Sequence, residues 1–115
     1  MGFTILVVDD EENFREGIRQ YLIKKEYEVF DAATLDEARA TLNSQAIDIV
    51  MLDVQIGKEY GPDLLYDIQL MRPAPKTILI TAYGEVDMAV DAMKNGAFDF
   101  LAKPINFPLL DATLH

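Results

Sequence analysis

Short apolar runs alternate with amphipathic stretches along the chain. Residues 3–8 read as a buried strand. Phe14, Ile18, Tyr21 and Leu22 then recur at helical spacing, which predicts a helix reaching about residue 25. Residues 28–32 form a shorter, more polar strand. Thr34-Leu35-Asp36-Glu37 has the form of a capping box, opening a second helix with Leu35, Ala38 and Leu42 inward. A third strand over residues 47–53 ends on an acid, Asp53. Pro62 suits the first turn of a third helix, whose apolar stripe is Leu64, Leu65, Ile68 and Met71. Pro73 and Pro75 break the chain before a fourth strand over residues 77–82. Val86, Ala89, Val90 and Met93 line a fourth helix that Gly96 stops. Residues 98–102 give the fifth strand, and Asn106 caps a last helix containing Leu109, Leu110 and Leu114.

Five strands alternating with five helices imply an α/β fold, with a parallel sheet covered on both faces. Right-handed crossovers leave few topologies, and the flavodoxin-like (βα)5 three-layer sandwich with strand order 2-1-3-4-5 fits five such units. The 115 residues suit one domain over 1–115. The last helix has about two turns before His115, as expected of a fragment of a longer protein cut in that helix.

Half of the chain is hydrophobic, so a core can be buried without staples. There is no Cys, which excludes disulfides and Cys-based metal sites and fits a reducing, cytoplasmic compartment. The apolar start runs straight into Asp9-Asp10-Glu11-Glu12, unlike a signal peptide, and no stretch is long enough for a membrane helix. The net charge of −10 argues against direct nucleic-acid binding. Most of these charges solvate the surface, but the cluster at residues 9–12 needs its own explanation.

In an open parallel sheet, function sits outside the carboxyl ends of the strands. The first strand delivers Asp9 and Asp10 there, the third Asp53, the fourth Thr81 and Tyr83, and the fifth Lys103 and Pro104. Singly, each has an ordinary role: a helix cap, a turn residue, a β-branched strand residue, a surface charge. Together they converge on one crevice. Three carboxylates without a cation would repel, and a hard divalent cation such as Mg2+ resolves this. A hydroxyl and an ammonium opposite suit phosphate oxygens, and a carboxylate can itself attack phosphorus.

The order and spacing of ILVVDDEE, IDIVMLDVQ, ILITAYG and FDFLAKPI resemble the receiver domain of two-component response regulators over essentially the whole chain. The run GEVDMAVDAMKNGAFDFLAKP is most similar to receivers of NtrC-type transcriptional activators. The resemblance implies a CheY-like fold and a switch rather than a turnover enzyme. Asp53 would be the phosphoacceptor, with Mg2+ held by Asp9, Asp10, Asp53 and the backbone carbonyl of Gln55. Thr81 and Lys103 would serve the phosphoryl group, and Thr81 and Phe100 would carry the switch. Gln55 and Tyr83 would tune dephosphorylation, and the Lys103–Pro104 bond would be cis. The implied partners are a sensor histidine kinase, a downstream effector domain and a second copy, met through the fourth helix and fifth strand or through the last helix. Ile56-Gly57 departs from the Met-Pro often found after the phosphoacceptor, so a looser loop is expected there. Three other readings remain: a magnesium phosphatase with an aspartate nucleophile, an inert interaction module, and a flavodoxin-like cofactor binder. The first would need an acid where Gln55 stands. The last would need glycines where the first loop is acidic.

Overall fold

A computed structural model of the protein describes residues 2–82 and 86–114. The elements in chain order are β1 (Thr4–Val8), α1 (Glu12–Lys24), β2 (Glu28–Ala32), α2 (Leu35–Ser44), β3 (Ile49–Asp53), β4 (Gln55–Ile56), β5 (Glu59–Tyr60), α3 (Pro62–Gln69), β6 (Lys76–Thr81), α4 (Val86–Lys94), β7 (Asp99–Ala102) and α5 (Phe107–Leu114). The main sheet is parallel with order β2-β1-β3-β6-β7. Counting only its five strands, this is the order 2-1-3-4-5 expected from the alternation of elements.

Alternation along the strands builds two cores. Leu6, Val8, Val50, Leu52 and Leu79 face the layer of α2, α3 and α4. Ile5, Val7, Met51, Ile78 and Ile80 face α1 and α5, where Ile18, Leu22, Leu110 and Leu114 close the layer. A central sheet buried on both faces explains why β1, β3 and β6 read as unbroken apolar runs.

Local signals set the helix ends. Glu37 N donates to Thr34 Oγ1 at 3.1 Å, and Glu37 Oε1 accepts from Ala33 N at 2.9 Å, so the capping box forms with its return bond one residue early. Leu109 N donates to Asn106 Oδ1 at 3.0 Å, capping α5. Gly96, at φ +110°, closes α4 in a Schellman turn: its N–H reaches Met93 O and that of Ala97 reaches Ala92 O. The end of α1 repeats this motif without a glycine. Glu26 takes φ +70°, its N–H reaches Ile23 O, and that of Tyr27 reaches Leu22 O.

Two expectations need correction. Val90 does not face the core; it is exposed, as is Met88, while Ala92 is buried and Met93 packs beside it. Val90 lies two residues before Ala92, about half a turn round the helix, so both cannot face inward. The side chains of Val86 and Ala89 lie outside the described residues. The segment after Asp53 is not loosened by Ile56-Gly57. β4 and β5 pair there as a two-residue antiparallel ladder, Gln55 with Tyr60 and Ile56 with Glu59. Gly57, at φ +60°, takes the turn position that a type II′ hairpin reserves for glycine.

Candidate functional site

The sheet order delivers the site. β1, β3 and β6 are successive neighbours and β7 pairs with β6, so their carboxyl ends line one edge. Asp9 follows β1 and stays in register, its N–H donating to Ala32 O. Its side chain is buried, and Oδ1 accepts from Glu11 N at 2.8 Å. Arg15, one turn into α1, ties this loop down: Nη1 donates to Asp9 O at 2.8 Å and Nε to Asp31 Oδ2 at 2.9 Å.

Asp53 ends β3 and is only 5% exposed. Its Oδ2 accepts from Lys103 Nζ at 3.0 Å, and its Oδ1 accepts from Gln55 N at 3.3 Å. Lys103 continues the line of β7, its N–H donating to Thr81 O at 2.8 Å, and its peptide bond to Pro104 is cis. The ammonium also stands 3.1 Å from Asp9 Oδ2. Its hydrogen-bond geometry favours Asp53, so Asp9 Oδ2 is buried with no hydrogen-bond donor among the described residues. Asp10 is exposed, and its Oδ2 accepts from Gly57 N at 3.0 Å.

One carboxylate oxygen each from Asp9, Asp10 and Asp53 lie within 4.8 Å of one another. The electrostatics follow. Burial raises the pKa of Asp53 to about 6, and the Asp9 charge adds to this against the lowering effect of Lys103 and Gln55 N. Lys103 shows the reverse balance: burial disfavours its charge, but the bond to Asp53 and the Asp9 carboxylate outweigh this and raise its pKa. The Lys103 ammonium is shared between two buried acids, and Asp9 Oδ2 has the ion pair but no hydrogen bond among the described residues. That donor set fits a hard, oxygen-seeking divalent cation.

Thr81 closes β6 and is buried on the α3–α4 side, with Leu79. Phe100 is half-buried on the same side, opposite Leu79 in register. Gln55 is tied into the hairpin: its Nε2 donates to Gly57 O at 2.9 Å and Glu59 O at 3.2 Å. Glu59 Oε1 accepts from Leu35 N, joining the hairpin to the start of α2. Tyr83 lies outside the described residues. At Gly61, the residue that caps the start of α3, a Cβ would overlap the carbonyl oxygen of Asp53, so the backbone behind the acid admits no side chain.

Sequence reasoning brought Asp9, Asp10, Asp53, Thr81 and Lys103 to this edge and missed Arg15, the Gly57 amide and Phe14, whose ring centroid lies 4.4 Å from Lys103 Nζ. An arginine one helical turn beyond an acidic pair was a readable signal. The amide carried none, because a backbone donor has no residue type.

Residues 5–115 match the response regulator receiver domain family. The chain belongs to this family. It is 38% identical over 100 residues to the alginate biosynthesis transcriptional regulatory protein AlgB of Pseudomonas aeruginosa, covering 87% of this chain and 22% of that one. It is 36% identical over 113 residues to the transcriptional regulatory protein ZraR of Escherichia coli, covering 98% and 26%. The receiver domain therefore spans about a quarter of these curated relatives. Among solved structures, NtrX of Brucella abortus aligns with a TM-score of 0.89 and 31% identity, over 99% of this chain and 27% of that one. A receiver domain protein of Clostridium thermocellum aligns with a TM-score of 0.89 and 34% identity, over 97% and 90%. Among the described residues no helix is long and apolar enough to cross a membrane.

Proposed function

We propose that this receiver is a phosphoacceptor switch in which Asp53 takes a phosphoryl group from the phosphohistidine of a sensor histidine kinase. One observation carries the reading: Lys103 Nζ lies 3.0 Å from Asp53 Oδ2 and 3.1 Å from the buried Asp9 Oδ2. An Asp53 carboxylate oxygen attacks phosphorus, the phosphorus–nitrogen bond breaks, and its electron pair leaves with the imidazole. Lys103 then has a phosphoryl oxygen to pair with in place of the carboxylate. Asp9, Asp10, Asp53 and the Gln55 carbonyl would hold Mg2+, which when bound neutralises charge on the phosphoryl oxygens.

The phosphoryl group draws the Thr81 hydroxyl, and Phe100 turns inward. The α4–β7–α5 face then shifts between two packings of one fold. On this reading the domain works in the cytoplasm. Its partners are the kinase, a downstream output domain that controls transcription as in the regulators it resembles, and a second copy of itself. The acidic domain does not itself contact nucleic acid.

Incubation with acetyl phosphate and Mg2+, followed by intact mass measurement, tests the reading. A single phosphoryl adduct is expected in the wild type and none in Asp53→Asn. No adduct in the wild type, or an adduct that persists in Asp53→Asn, overturns it. A magnesium phosphatase is disfavoured because Gln55, besides lacking an acidic proton, is bonded into the hairpin.

A further inference from the structure

Lys103 has a third neighbour besides the two acids. Its Nζ stands 4.4 Å from the centroid of the Phe14 ring. That distance is within the range at which an ammonium is attracted to an aromatic face. Phe14 is half-buried in the first turn of α1 and packs against the α1–α5 core. It also lines a shallow depression with Lys103, Pro104 and Ile105. The helix that follows the acidic pair thus also supplies the surface on which the ammonium rests.

We propose that Phe14 is a positioning residue for Lys103. It confines the ammonium to the site while leaving it free to move from the Asp53 carboxylate to a phosphoryl oxygen. This rests on the phosphoacceptor reading above. A hydrogen bond to a third fixed acceptor would hold the ammonium in one direction and would have to break when the phosphoryl group arrives. A ring face attracts the cation over a broad area and sets no such direction. It also replaces water on that side, so the long lysine stem has less reason to swing outward. A leucine at this position fills similar space and keeps the apolar packing, but has no negative face to offer.

The test uses three proteins: wild type, Phe14→Leu and Phe14→Tyr. Carbon–proton NMR of the lysine ε positions, with Lys103 assigned through Lys103→Arg, reads the contact without any phosphorylation. The ring-current shift of Lys103 is expected in wild type and Phe14→Tyr and lost in Phe14→Leu. Phosphorylation by acetyl phosphate with Mg2+ is expected to be about two- to five-fold slower in Phe14→Leu and restored in Phe14→Tyr. A Phe14→Leu protein with the wild-type rate, or one that is slowed while the Lys103 resonance stays put, overturns the proposal and leaves the phosphoacceptor reading intact. A wild type that takes no phosphoryl group overturns both.

Discussion

The backbone N–H of Gly57 donates to Asp10 Oδ2 at 3.0 Å, across 47 residues of sequence. It fixes the most exposed of the three acids by way of the small hairpin that follows Asp53. The bond depends on Gly57 holding φ +60°, a conformation that costs other residues about 1–2 kcal/mol.

Gly57→Ala is therefore expected to lower stability by about 1 kcal/mol. It should also weaken magnesium binding by about three- to ten-fold, the worth of one lost hydrogen bond. Urea denaturation and a Mg2+ titration followed by NMR check the two effects separately. Unchanged affinity would show that Asp10 needs no such anchor.

The raised Asp53 pKa makes stability depend on pH in the metal-free protein. The folded value, about 6, lies above the ordinary 3.8, so the folded state binds more protons between them. The stabilising contribution is complete below about pH 4 and is lost as pH rises through about 6. The full difference is worth up to about 3 kcal/mol. With chelator present, the stability of Asp53→Asn relative to wild type should rise steadily from pH 4.5 to pH 7.5, measured by urea denaturation. A difference that does not vary with pH would refute this.

Magnesium should reverse that pattern. A cation held by Asp9, Asp10 and Asp53 competes with the Asp53 proton, so affinity should fall as pH drops below about 6. Near neutral pH, added Mg2+ should raise Tm in wild type and leave Asp10→Asn almost unmoved. Calorimetric scans with and without the ion at two pH values suffice. An equal rise in both proteins would place the ion elsewhere.

Glu26 ends α1 at φ +70°, where a glycine would sit without strain. Glu26→Gly should stabilise the fold by about 0.5–1 kcal/mol, with magnesium affinity unchanged because the residue lies past the opposite end of α1 from Asp9 and Asp10. A chemical denaturation midpoint that moves down instead of up would contradict it.

Much of this was legible in the sequence because periodicity and position carry it. The apolar runs of β1, β3 and β6 fixed the sheet, and the parallel order then brought Asp9, Asp53, Thr81 and Lys103 to one edge. The missed features are those in which backbone geometry overrides residue type. The β4–β5 hairpin rests on two residue pairs, too short for an alternating pattern to show. Glu26 occupies a left-handed position that composition assigns to glycine. Val90 was assigned to the wrong face because α4 carries apolar residues round most of its circumference. The contact of Phe14 with Lys103 joins the first helix to the last strand, and no local pattern spans that distance.

The order of synthesis gives the Asp53–Lys103 pair a further meaning. The acids are made early, and among the described residues the only ammonium that pairs with both comes fifty residues after Asp53. It arrives on an edge strand that pairs with β6 alone. A chain still emerging from the ribosome, or clipped before β7, does not yet carry the ammonium that stands beside Asp9 and Asp53. On the phosphoacceptor reading, such a molecule would lack the group that receives a phosphoryl oxygen, and an unfinished copy would stay silent.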